Sequence, residues 1–236
     1  MAKKRLDQYK GRLTPAEITK GMNAALVNAK RLADAASLLL EKGDWPLAAS
    51  IAALSIEESG KVAVLRSLSV AHSDQDVARC WQEYRCHTKK NVMWLLPQLV
   101  AAGARRLDDF GSLFDEQAEH PFLLDQVKQI GFYTDCLGKA HWSVPTEVID
   151  EELARALVKT AGLFVEPKRV TEAEIELWIK HMGPVWKGPK ELMEHALVQW
   201  YNEMHERGLA DSGLNAMEEF ILHGVGKEQK RNGEVS

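Results

Sequence analysis

Cysteine is scarce: the 236 residues hold only Cys80, Cys86 and Cys136. An odd number, at spacings that match no common zinc pattern, excludes a disulfide scaffold and a cysteine-built zinc centre and is expected of free thiols in a reducing cytoplasm. Positive charge is not in excess either. Lys and Arg number 30 against 34 Asp and Glu, for a net charge of −4, so the whole molecule lacks the basic signature of a nucleic-acid binder and only a local basic patch remains open. Apolar runs stay short of the roughly 18 uncharged residues that a membrane-spanning helix requires. The basic start, Met1 to Lys10, has no apolar segment after it, so no secretory signal is expected. Glycine-rich phosphate loops, internal repeats and a convincing pair of strands are also missing. These absences leave a cytoplasmic, all-α chain.

What is present is a large apolar fraction, 45% of the residues, enough for one main core with or without a smaller appendage. The chain is organised around Trp45 to Lys61. At about 100° per residue, Ile51, Ala52, Ala53, Leu54, Ile56, Val62, Val64 and Leu65 leave no polar stripe, which predicts a helix in the middle of a bundle. Glu57, Glu58 and Lys61 lie within it, and charges in a buried helix are costly unless partnered. Glu57 and Lys61 are spaced i,i+4 and Glu58 and Lys61 i,i+3, so one lysine is expected to answer both carboxylates. The cluster is either a structural clasp or part of a site.

Residues 1–13 read as a polar lead-in. Thr14-Pro15-Ala16-Glu17 is a capping box that opens a helix to about Lys42, Gly43 stops it, and Asp44 caps the central helix, which ends near His72. These two make an antiparallel hairpin of long helices. A third helix is expected from Ser73-Asp74 to Ala102-Gly103, with Val77, Trp81, Tyr84, Val92, Leu95 and Leu99 inward and Arg79, Glu83, His87 and Lys90 along one polar edge. Arg85 projects from the other flank. Residues 104–121 read as a loop, Phe122 to Tyr133 as a helix, Cys136 to Pro145 as a loop anchored by Trp142, and Thr146 to Leu163 as a helix. Residues 166–223 form a C-terminal helical extension with helices at Thr171–His181, Pro189–Arg207 and Leu214–Leu222, and residues 224–236 a disordered tail.

Several stretches follow one another in a recognisable order: Asn28-Ala29-Lys30-Arg31-Leu32 with Asp34-Ala35, then Gly43, Ala48 and Ala49, then Ser55-Ile56-Glu57-Glu58-Ser59-Gly60-Lys61. His87-Thr88-Lys89-Lys90 and Gly131-Phe132-Tyr133-Thr134-Asp135 come after them. From about Thr14 to Leu163 the sequence resembles the AbiV-type abortive infection proteins, a bacterial branch of the HEPN (higher eukaryotes and prokaryotes nucleotide-binding) superfamily. The resemblance implies an all-α, HEPN-like helical bundle over residues 14–165, defence against phage by arrest of the infected cell, and pairing into a homodimer. In nuclease members of the superfamily an arginine precedes the histidine with four to six residues between them, and paired subunits bring two such sets together. This sequence departs from that spacing: seven residues separate Arg79 from His87, and one separates Arg85 from it.

Metal-independent cleavage of RNA needs a base for the 2′-hydroxyl proton, an acid for the leaving 5′-oxygen and a cation for the charged phosphorane. His87 is the candidate acid or base, Arg79, Arg85, Lys89 and Lys90 the candidate phosphate and RNA ligands, and Glu58 with Lys61 the organisers. The bland alternatives are a surface histidine paired with Glu83, a solvated basic edge, and a salt-bridged clasp. Trp81 and Tyr84 fit the core better than a base-stacking surface. Tyr133 is expected to cap the core, its hydroxyl bonded to an Asp or to the glutamates. No cofactor and no metal are expected, since Glu-x-x-His pairs on facing helices are missing apart from near misses at Glu116 to His120 and Glu191 to His195, and Cys80, Cys86 and His87 on one helix cannot converge on an ion. The partners this reading allows are a second copy of the chain, RNA, or a phage or host protein bound without catalysis. A nucleotide sensor using Lys61 is the remaining rival.

Overall fold

The computed structural model describes residues 7–115, 117–165, 169–210 and 215–224. Most of the expected tail, the first six residues of the lead-in, the first residues of the extension and the start of its last helix at Leu214 lie outside these. Helix α1 spans Pro15–Glu41 behind the Thr14/Glu17 capping box, and α2 spans Trp45–Ser69 with Asp44 accepting from the Leu47 N–H. Ala48, Ala49, Ala52 and Ala53 on α2 and Ala29, Ala33 and Ala36 on α1 are buried. Their small side chains let the two backbones lie close along the whole hairpin.

The third helix is shorter than its amphipathic pattern predicts. α3 covers Asp74–Arg85 behind a Ser73/Asp76 capping box, and Cys86 takes extended backbone angles, φ −85 and ψ 127. The chain then turns, makes a 3-10 segment at Val92–Leu95 and resumes as α4, Leu96–Ala101, with Pro97 in its first turn. Pro97 marks the start of a separate helix, because it lacks the N–H that an interior position needs. The polar edge drawn from Arg79 through Glu83 to His87 and Lys90 therefore does not exist as a helix face. A 3-10 segment at Leu107–Phe114 leads to α5, His120–Phe132.

The loop expected after α5 contains a small hairpin, β1 (Asp135–Leu137) and β2 (His141–Ser143), antiparallel with Cys136 opposite Trp142. Trp142 does not anchor it, being exposed, and Tyr133 is likewise exposed rather than capping the core. A single turn, α6 (Pro145–Val148), precedes α7 (Glu151–Phe164), which starts at Asp150 rather than Thr146. The extension consists of α8 (Glu172–Met182, capped by Thr171 and Glu174), α9 (Lys190–Glu206) and α10 (Ala216–His223, capped by Asn215). Helices dominate the described residues, none of them long and apolar enough to cross a membrane, and the three cysteines are free thiols.

Helix α2 touches α1, α3, α5, α7 and α8, which accounts for its missing polar stripe. One cluster joins its first half to α1, α5 and α7 through Ile56, Leu124, Ile149 and Leu157. Another joins its second half to α3 and α8 through Leu65, Leu68, Val77, Trp81 and Ile175. The extension is fixed by Arg66 of α2, whose guanidinium lies 5.2 Å from the Trp178 ring and 5.6 Å from the Trp200 ring. Burial pushes the Arg66 pKa down and nearby Glu174 opposes the shift.

On the outside of the extension, Glu203 of α9 holds Lys180 and His181 of α8 at 2.5 and 2.6 Å, with Arg207 also in contact. Hydrogen bonds from Lys180, then His181, bring its carboxyl from the ordinary 4.5 to about 2. A depressed folded-state pKa stabilises above the unfolded value, and that contribution is lost as pH falls through the folded one. Glu203→Gln is expected to flatten the decline of melting temperature between pH 4.5 and 2. An acid limb as steep as that of the wild type would exclude this pairing as a source of stability.

Candidate functional site

Near the middle of α2 the chain presents Glu57 to the interior, and its side chain is 3% exposed. A carboxylate so placed must be fully partnered. The partners come from two other elements. Glu57 Oε1 accepts from Lys128 Nζ of α5 at 2.6 Å, and Glu57 Oε2 lies 2.6 Å from His87 Nδ1 in the turn after α3. Lys128, equally buried, also meets Asp125 at 2.6 Å. Lys61 is thus not shared between two carboxylates as expected: it pairs with Glu58, and its ammonium stands 5.1 Å from the centre of the Tyr84 ring. Glu83 is not the partner of His87.

The turn carrying His87 is seated by a glycine. At Gly60 a Cβ would fall 1.7 Å from the Lys90 carbonyl oxygen, so the loop backbone rests directly on α2, where any side chain would hold it off. A second close approach lies at Gly131 of α5, where a Cβ would meet Ser50 Oγ at 2.2 Å. The Ser50 hydroxyl donates to the Lys128 carbonyl at 3.1 Å and that of Ser55 to the Ala29 carbonyl at 2.7 Å. The stretches singled out in the sequence are thereby tied together in space: Ala29 to Ser55, Gly60 to Lys90, Glu57 to His87, and Ser50 to the end of α5.

A carboxylate accepts only, so Nδ1 of a neutral His87 carries the proton that bonds Glu57, which leaves Nε2 as the acceptor. The His87 side chain is 56% exposed, whereas its partner is buried. The ring is oriented from inside and reachable from outside. Burial alone would lower the Lys128 ammonium, but the bonds to Asp125 and Glu57 outweigh it and its pKa is raised. Lys90 is 8% exposed, and burial pushes its pKa down against the pull of Glu57. Lys89 is exposed.

The two arginines are engaged elsewhere. Arg79 pairs with Asp76 at the start of α3. Arg85 bonds the Trp81 and Tyr9 carbonyls at 3.1 and 2.6 Å, with its guanidinium 5.2 Å from the Trp81 ring centre, and so ties the lead-in to α3. The lysines that act on Glu57 are Lys128, in direct contact, and Lys90, which feels its charge. Asp125 and Lys128 escaped the reading of the sequence. Their signal was a lysine on the same face as Leu124 and Gly131, a place for an apolar residue unless an acid faces it.

Ligand atoms of Glu57, His87 and Asp125 lie within 4.8 Å of one another, a spacing that suits a metal ion. The Lys128 ammonium, however, already contacts both carboxylates and offsets part of the charge that would draw an ion. The family model described as AbiV, a HEPN domain, matches residues 17–166. The chain belongs to the AbiV family. It is therefore an abortive-infection, anti-phage protein. No curated protein and no solved structure matches the chain. The AbiV match includes every residue of the Glu57 cluster and stops short of α8.

Proposed function

We propose that this AbiV-family protein arrests infected cells by cleaving RNA without a metal, with His87 as the group that moves protons. The observation that carries this reading is the 2.6 Å contact between a half-exposed imidazole and a buried carboxylate. A histidine held in one tautomer by an acid is the arrangement a general base needs. Nε2 takes the 2′-hydroxyl proton, the freed oxygen bonds to phosphorus, and the bond from phosphorus to the 5′-oxygen breaks. The leaving oxygen takes its proton from a protonated His87 of a second copy in a homodimer. The products are a 2′,3′-cyclic phosphate and a 5′-hydroxyl. Lys89 is the exposed cation for the phosphate, Lys90 and Lys128 set the local potential around Glu57, and Lys61 holds Glu58.

A second reading is favoured by the arginines. Both guanidinium groups are taken by intramolecular partners, unlike the arginine that accompanies histidine in nuclease members of the superfamily. On this view the protein binds a phage or host protein and translation is blocked without RNA cleavage. Incubation with total bacterial RNA in the presence of chelator separates the two. Wild type is expected to cleave, and His87→Ala to be slower by about a hundredfold, in line with loss of one general acid–base group. Equal cleavage by both would remove His87 from the chemistry. Full phage protection by folded, dimeric His87→Ala would favour the protein-binding reading.

A further inference from the structure

The loop that delivers His87 also forms one wall of a hollow of about 160 Å³. Thr88, Lys89 and Val92 make that wall, and Phe114, Pro121 and Phe122 stand in the same lining. Three hydrogen bonds stitch this loop to the start of α5: Asn91 Nδ2 to the Pro121 carbonyl at 2.9 Å, Trp94 Nε1 to the His120 carbonyl at 2.9 Å, and His120 Nε2 with the Val92 carbonyl at 2.8 Å. The hollow is therefore fixed relative to His87, whose next neighbours along the chain are its wall. Two phenyl rings lie open to solvent here, Phe114 at 64% and Phe122 at 59% exposed. Asp115 also lines it, its Oδ1 accepting the Gln117 N–H at 2.8 Å, and among the described residues the Lys89 ammonium has no ion-pair partner.

We infer that this hollow is a nucleobase subsite: an unpaired RNA base stacks on Phe114 and Phe122, its phosphate meets Lys89, and the strand continues to His87. The inference rests on the RNA reading above and names the form of RNA that the site takes. A volume below the roughly 300–1,000 Å³ of drug-sized pockets suits one planar ring system rather than a whole small-molecule ligand. Aromatic faces beside a cation are the usual means of holding single-stranded nucleic acid, because every base has a π-face. A base paired in a duplex is not free to stack on them. An apolar side chain of a partner protein would be served by the phenyl groups but has no use for Lys89.

The test is fluorescence anisotropy with a labelled oligouridylate and with an RNA duplex of equal length, in chelator, on a His87→Ala background to prevent cleavage. The single strand is expected to bind more tightly than the duplex. Phe114→Ala and Phe122→Ala should each weaken single-strand binding about tenfold or more, as loss of one stacking partner does. Phe114→Trp should restore it and Phe114→Leu should not. Both positions are exposed, so unchanged melting temperatures are expected of these variants. Tight binding of the single strand that none of the substitutions alters would overturn the subsite and leave the RNA reading standing. Binding restored by leucine would show a merely apolar contact and overturn stacking. Failure of the parent to bind either RNA would remove the RNA reading, and the subsite with it.

Discussion

Glu57→Ala is expected to destabilise the protein by about 3–5 kcal/mol, because it strands one partner of a buried ion pair rather than removing the pair. Lys128 would keep Asp125 at 2.6 Å but lose the carboxylate on its other side, with its side chain only 4% exposed. The His87 ring would lose the group that fixes its tautomer. A double replacement, Glu57→Leu with Lys128→Met, removes both charges and leaves apolar side chains of similar bulk, which is often close to neutral in stability. Chemical denaturation of the three proteins gives the comparison. The double variant is expected to recover most of the stability without recovering RNA cleavage. Recovery of both would mean that the cluster is a clasp with no part in the chemistry, and a stable single variant would mean that Glu57 is not the counter-charge of Lys128.

Gly60→Ala is expected to have the other large effect, by overpacking. Alanine favours a helix over glycine by about 1 kcal/mol, so on an unencumbered helix the change would stabilise. Here the new Cβ would meet the backbone of Lys90, 1.7 Å from its carbonyl oxygen and 2.6 Å from the carbonyl carbon. Backbone does not swing aside as a flexible side chain does, and such insertions cost about 1–3 kcal/mol, occasionally more. The loop of residues 86–91 must lift off α2. His87 moves with it, and a misplacement of about 1 Å at a reacting group is enough for a hundredfold loss of rate. The measurements are the melting temperature and the His87 imidazole resonances, both expected to change. A variant more stable than the wild type, with His87 unmoved, would show that the loop does not rest on Gly60.

Much of the fold was legible because its determinants are local. The Thr14/Glu17, Ser73/Asp76 and Thr171/Glu174 boxes and the Asp44 cap involve residues three apart, and the apolar stripe of α1 and the all-round apolar character of α2 are properties of single segments. The third helix was overextended for the same reason. Its apolar period continues past Arg85, but docking on Gly60 and the bond to Glu57 hold the backbone extended at Cys86. Tertiary contacts outweigh the small propensity of a few residues for helix. The hairpin at residues 135–143 went unseen because its strands have three residues each, too few for an alternating pattern to stand out.

The sequence by itself determined the class of the protein, its family, the central apolar helix and the presence in it of charges that needed partners. It also marked His87 as a group of interest. Only the tertiary structure decided who the partners are. Glu57 answers to His87, 30 residues away, and to Lys128, 71 residues away, and it turns from Lys61 on its own helix. Pairings within a helix follow from the fixed rise and turn of the backbone. Pairings across a bundle follow from which faces close on one another, and here that closure depends on small residues, Gly60 and Gly131 among them, that let the loop after α3 and the end of α5 reach the backbone and side chains of α2.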